Sequence, residues 1–240
     1  MNNGIYTAYS GMRAQADALD LVSNNLANLN TAGFKEEMAY FSLMNPPADG
    51  GLNSTINSSV MTMGAMNSLE GSLSQTNRDL DVAIEGNGFL AVQTPRGMRY
   101  TRNGNLKLNA QGVLCSSEGS PVLGANGSPI SLGPGKIQIN ENGAVSMDSV
   151  PVDRLKVVTF NNLANLKREG NSLFVLADGK DQEKTSDAKI RSGYLEQSNV
   201  NAVSSIVRMV GIMRHFEAIK KTVDLIGNEL ATKSIEKLGR

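Results

Sequence analysis

From residue 4 to about 31, apolar side chains fall at Ile5, Ala8, Met12, Leu19, Val22, Leu26 and Leu29. The steps are three and four residues, with Gln15 as the one polar interruption. That spacing is a heptad seam and predicts a helix with one apolar stripe. The same pattern returns at the other end of the chain. Met209, Ile212, Phe216, Ile219, Val223, Ile226 and Leu230 occupy successive seam positions from about 201 onward. This second helix can run to about Leu238, a length of roughly 55 Å at 1.5 Å per residue. Ser198, Asn199 and Asn201 are candidate N-caps, because their short polar side chains can accept from the first free amides. Val210, Met213 and Leu225 lie off the seam. The apolar face is therefore wider than one partner helix covers, and the ends are expected to order fully only in an assembly.

Between the two helices the period changes to two. Leu80, Val82 and Ile84 share one strand face, as do Leu106 and Leu108, Ile137 and Ile139, and Leu155 and Val157. Asn-Gly pairs at 87–88, 103–104, 126–127 and 142–143 are hairpin-turn signals. Closely spaced turns suit a small sandwich or open barrel. Residues 36–78 read instead as an extended connection, with PPADGGLNSTINSS rich in turn formers. The expected fold is α+β. An N-terminal helix spans 1–35, a linker 36–78, an all-β domain 79–197 and a C-terminal helix 198–240. The two seams bury most simply against each other, as a coiled coil.

LANLNTAGFK (26–35) ends the first helix. With Gly33 in the left-handed conformation, Leu29 and Phe34 fall where a Schellman cap pairs its apolar side chains. Asn24 and Asn28 share the face opposite the seam and Asn25 flanks it. Amides donate and accept without a charge to desolvate, so they suit either lateral contacts between like neighbours or a solvated face.

Charge narrows the function. Lys plus Arg equals Asp plus Glu, 23 each, which argues against binding nucleic acid through its phosphates. Aromatic residues are 5% and Trp is absent, so an aliphatic core is expected. The one cysteine, Cys115, excludes an intrachain disulfide and reads as a small core residue. One Cys and one His exclude a zinc site of the usual kind. No apolar run is long enough to span a membrane. The start lacks the basic and apolar regions of a cleaved signal peptide. Asp79, Asp81 and Glu85 are the densest carboxylates near a strand and could in principle serve a glycosidase. They read better as the polar face of the strand whose other face is Leu80, Val82 and Ile84. His215 sits beside the helical seam with no partner constellation and reads as packing or surface. Gly86-Asn87-Gly88 is a turn, not a phosphate loop. No cofactor, metal or small-molecule substrate is expected.

SNNLANLNTAGFK (23–35) closely resembles the N-terminal signature of the bacterial flagellar axial proteins of rod and hook. GSLSQTNRDLDVAIEGNGFLAV (71–92), RYTRNGNLKLNAQGVL (99–114) and GYLEQSNVNAVSSIVRMVGIMRHFEAIKK (193–221) resemble further segments of that family, in the same order. The length suits a rod protein rather than a hook protein. Arg214-His215-Phe216-Glu217 is closer to the proximal than the distal rod branch, while the N-terminal segment fits either. Ala32 stands where proline commonly precedes the family's Gly-Phe.

The resemblance implies a structural subunit of the basal-body rod. It would be exported unfolded through the flagellar type III apparatus without cleavage, and would assemble helically with itself and other rod and hook proteins. Its terminal helices would pair inside and its β-domain would pack outside. Leu19, Val22, Leu26 and Leu29 are then expected against Met209, Ile212, Phe216, Ile219, Val223 and Ile226, with Asn24, Asn25 and Asn28 making lateral contacts. The alternatives are a secreted β-domain binder with coiled-coil ends and, more weakly, a peptidoglycan-acting enzyme.

Overall fold

The computed structural model describes residues 2–44, 59–170, 172–177 and 182–238, with side chains described from Thr7 to Ser42 and from Thr62 to Gly227 inside those spans. The chain forms two compact units. Unit 1 comprises Met1–Ala27, Glu37–Ala65 and Asn201–Arg240, and unit 2 comprises Asn28–Glu36 and Met66–Val200.

Unit 1 holds the helices α1 (Asn2–Ala27) and α2 (Ala202–Leu238) and the strands β1 (Glu37–Met44) and β2 (Ser59–Met66). The two helices lie against each other. Gly11 faces Ile219, while Leu19 shares an apolar groove with Ile212, Met213 and Phe216, so the helices run in opposite directions. Asn201 caps α2 by accepting from the Ser204 amide at 3.0 Å.

The most buried stripe of α1 is offset from the expected seam and shares Val22 with it. Its most enclosed residues are Ala14, Ala18, Val22 and Asn25. Leu19 and Leu26 are half-buried beside them. Beside these small residues the Thr62 side chain of β2 donates its hydroxyl to the Ala14 carbonyl at 2.8 Å. β1 and β2 pair as a two-stranded sheet inside the stretch that reads as a connection. The turn formers that dominate that stretch of sequence, at 46–58, lie outside the described residues.

Unit 2 is β-rich. Its first strands are β3 (Leu73–Gln75), β4 (Val82–Glu85), β5 (Phe89–Thr94), β6 (Gly97–Thr101), β7 (Leu106–Leu108) and β8 (Leu114–Ser116). Then come β9 (Ile137–Ile139), β10 (Ala144–Met147), β11 (Val150–Arg154), β12 (Val157–Thr159), β13 (Leu166–Glu169) and β14 (Leu173–Leu176). The last are β15 (Lys184–Thr185), β16 (Lys189–Ser192) and β17 (Tyr194–Glu196). The largest sheet has the order β13-β14-β6-β5-β12-β15, and a three-stranded sheet has the order β11-β10-β9. β16 pairs with β4 and β17 with β3, so the last strands of the unit return to its first.

β5 divides the core. Leu90 and Val92 enter an aliphatic cluster with Val82, Ile84, Leu114 and Val145. Phe89 and Ala91, on the opposite face, enter a second cluster with Tyr100, Phe160 and Phe174. The expectation of a purely aliphatic core is thus corrected: four aromatics, Phe89, Tyr100, Phe160 and Phe174, gather in this second cluster. Tyr100 and Phe160 meet edge to face, with centroids 4.8 Å apart.

Of the Asn-Gly pairs, 142–143 closes the β9–β10 hairpin, where the Gly143 amide donates to Asn140 O at 2.9 Å. Pair 126–127 also makes a tight turn. The other two do not join paired neighbours, because β4 pairs with β16 and β6 with β5 and β14. Gly104 instead lies so close to the Val82 carbonyl that no Cβ fits. Leu108 is exposed although it follows Leu106 on the same expected face.

Candidate functional site at the chain junction

The chain passes between the two units at 27/28, 36/37, 65/66 and 200/201. Inside unit 2, the three segments next to these crossings are bound together around one carboxylate, that of Glu196. The segments are 28–36, 66–73 and 194–200.

α1 ends at Ala27, not near residue 31. Asn28 begins a turn in which its carbonyl accepts the Thr31 amide at 3.2 Å and its Oδ1 accepts the Thr31 hydroxyl at 3.1 Å. Asparagine favours such local bonding over continuing a helix. Gly33 is left-handed, with φ +68°, but it does not cap α1. Its amide donates to Glu196 O at 2.8 Å, and a Cβ there would run into the Arg102 carbonyl. The expected Schellman cap is therefore replaced by a docking turn. Phe34 is buried, with the Arg168 guanidinium 4.2 Å from its ring centroid. The same guanidinium donates to the Lys35 carbonyl.

Lys35 Nζ donates to Glu196 Oε1 and to Leu69 O, both at 2.7 Å. Gly71 N–H adds a bond to Glu196 Oε1 at 2.8 Å. Arg102 Nε donates to Glu196 Oε2 at 2.6 Å. The rest of that guanidinium donates to the carbonyls of Ile84, Gly86 and Gly88. Glu70, 3.7 Å from Arg102, brings the cluster of two cations and two carboxylates to neutrality. Burial alone would raise the pKa of Glu196, but the charges of Arg102 and Lys35 and their hydrogen bonds outweigh it and hold the carboxyl below its usual value. Burial pulls Lys35 below its usual value against the opposing charge of Glu196.

Asn199 completes the weave. Its Oδ1 accepts the Glu36 amide at 2.6 Å, and its Nδ2 donates to Asn67 O and Leu69 O at 3.1 and 2.8 Å. Asn67 N–H donates in turn to Glu36 O at 2.8 Å. Every donor and acceptor of one amide side chain thus binds backbone from two other segments.

The residues expected at the interface are placed as follows. Val22 is buried, and Leu19, Leu26, Met209, Ile212, Ile219, Val223 and Ile226 are half-buried. Phe216 is at the edge of exposure. Leu29 is half-buried in the turn after α1, outside the helix. Asn24 is exposed. Asn25 is buried and binds both backbone groups of Glu37, donating to its carbonyl at 2.8 Å and accepting its amide at 3.0 Å. Its amide therefore serves the chain's own β1. Even with α1 alongside, α2 exposes Val203, Ile206, Val207, Val210 and Met213.

The carboxylates that suggested an enzyme are dispersed. Asp79 is exposed, Asp81 is buried 3.5 Å from the Arg78 guanidinium, and Glu85 pairs with Arg191 at 2.9 Å. Cys115 is buried, and burial pushes its thiol pKa up, away from a nucleophile.

Lys35, Arg102, Glu196 and Asn199 did not stand out as site residues in the sequence. Nothing in a single sequence pairs residues so far apart. Their one signal is that each lies within a stretch carrying the family resemblance.

Comparison with known proteins bears on the same segments. Residues 5–35 match the family model described as flagella basal body rod protein. Residues 83–147 match the D1 domain of the flagellar hook protein FlgE/F/G family, and residues 191–225 match the flagellar basal body rod FlgEFG protein C-terminal model. Lys35, Arg102 and Glu196 fall one in each matched segment. The flagellar basal-body rod protein FlgF of Caulobacter vibrioides is 34% identical over the whole of this chain and 99% of its own length. FlgF of Mesorhizobium japonicum is 33% identical over 90% of each chain. The flagellar basal-body rod protein FlgG of Borreliella burgdorferi is 30% identical over 96% of this chain and 97% of its own.

Proposed function

We infer, from the premise that this chain belongs to the flagellar basal-body rod protein family, how it works as a part of that rod. It is a structural protein of the rod and not an enzyme. The observation that carries this is similarity to rod proteins along the whole chain, through both end helices and the β-rich unit between them. That match favours the rod over a secreted binding module.

Within the rod, the proposed role is the proximal, FlgF-like one. The subunit assembles helically with itself and with other axial proteins, and it transmits torque from motor to hook. It reaches its place through the flagellar type III export apparatus, without a cleaved signal peptide. In the assembled rod, α1 and α2 pair as a coiled coil through Leu19, Val22, Leu26, Met209, Ile212, Phe216, Ile219, Val223 and Ile226. The exposed apolar flank of α2, from Val203 to Met213, supports this reading, because it offers neighbours a surface that α1 leaves uncovered. Asn24, on the exposed side of α1, contributes lateral amide contacts.

A null strain complemented with Leu26→Asp tests the reading. Half-buried Leu26 is expected to tolerate no charge once neighbours close around the helices. Isolated basal bodies should then lack a complete rod, while the purified variant keeps the far-UV circular dichroism of its β-rich unit. Full motility of the variant contradicts the assignment.

A further inference from the structure

We propose that Glu196 is the coupling residue through which the β-rich unit shares load among all the chain segments that lead to unit 1. This rests on the rod reading above. A subunit in a turning shaft feels force along every covalent path, and the four crossings between the units are such paths in any arrangement of the two.

Glu196 and Asn199 both touch every segment next to them, and Glu196 does so through an ionised group. Glu196 belongs to the segment leading to α2. Its main-chain oxygen holds Gly33 and its Oε1 holds Lys35, both on the segment leaving α1. The same Oε1 holds Gly71 on the segment returning from β2. Its Oε2 holds Arg102, which is anchored to three carbonyls at 84–88 beside the core. A pull on any one segment is therefore divided over bonds loaded together. The paired strands beside it, β17 and β3, are only three residues each.

The chemistry suits the task. Bonds to ionised groups are roughly twice as strong as neutral ones. Burial keeps salt from screening them. Apolar packing could match the stability, but it is non-directional and ties no particular segment to another.

The test separates load from stability. Glu196→Gln keeps the shape but turns an amide N–H₂ toward one of two cations, which then loses its carboxylate partner and keeps only backbone carbonyls as hydrogen-bond acceptors. Val145→Ala, in the aliphatic cluster away from the junction, is the control for general loss of stability, with both variants characterised by denaturant unfolding of the full chain. Each is expressed in a null strain. Rods are counted in isolated basal bodies, and swimming speed is followed as medium viscosity rises. The expected result is rods and swimming at low viscosity for both, with Glu196→Gln alone losing motility at high viscosity. Identical viscosity curves for the two variants overturn the proposal. If Glu196→Gln builds no rods, Lys35→Met, which keeps the Glu196–Arg102 pair, is read against the same control by the same criterion. A null strain that swims unaided overturns the rod reading itself. A null strain restored at every viscosity by Glu196→Gln overturns only this inference.

Discussion

Lys35 and Glu196 are 161 residues apart in sequence and 2.7 Å apart in space, with each side chain 2% exposed. Such a pair is costly to desolvate, and its attraction offsets that cost only when the remaining donors and acceptors are also satisfied. Here Leu69 O, Gly71 N–H and Arg102 satisfy them. The closing strand of the β-rich unit and the turn that follows α1 are thereby held in one register.

Removing the carboxylate should therefore be far worse than removing an exposed charge. Glu196→Ala leaves two buried cations without their shared acceptor, and a loss of about 3–5 kcal/mol is expected. Arg96→Ala, which removes an exposed guanidinium from its pair with Glu169, should cost far less. Denaturant unfolding of the full chain, followed by circular dichroism, measures both.

The stability of the junction should depend on pH on the acid side. The folded-state pKa of Glu196 lies below its ordinary value of 4.5, so the unfolded chain takes up the proton first. Its contribution is complete at neutral pH, begins to fall near pH 4.5 and is lost as pH drops through the folded value. The denaturation midpoint of the parent should fall with pH in that window. That of Glu196→Gln should fall less steeply.

Two glycines should respond in opposite ways to alanine. Gly33→Ala meets a left-handed φ and the Arg102 carbonyl together, and should cost about 1–3 kcal/mol or more. Gly211, inside α2, has open space where a Cβ would stand, and Gly211→Ala should stabilise the helix by about 0.5–1 kcal/mol. Thermal unfolding of the two variants gives the signs directly.

Asn25→Ala removes both side-chain bonds to Glu37, leaving a strand-end amide and carbonyl without that partner. A cost of about 1–3 kcal/mol is expected. Hydrogen exchange at the Glu37 amide should accelerate in the variant; unchanged exchange would show that Asn25 does not hold β1.

Much of the fold was legible because it is local. Two heptad seams gave the two helices, and period-two runs gave the strands of the aliphatic cluster, such as Val82 with Ile84 and Ile137 with Ile139. The errors came where a long-range partner overrides a local rule. Gly33 looks like a cap because it follows a helix, yet its amide is taken by Glu196. Asn25 looks like a surface amide, yet a strand that starts twelve residues later uses both ends of it. Of the expected N-cap candidates Asn201 does cap α2, whereas Asn199, which looks equally suited, binds the junction. Charge pairing at this distance leaves no mark on composition or periodicity.

The central claim is that residues 28–36 belong to the folded body of the β-rich unit and are not a tether trailing from a helix. Residue-resolved hydrogen exchange of the full-length protein tests this most directly, at the Gly33 amide beside the Leu90 amide in the core. Protection of Gly33 that tracks Leu90, and falls with it in denaturant, is the expected result. Rapid exchange at Gly33 while Leu90 stays protected would contradict the account, because the bond to Glu196 would then open without the fold.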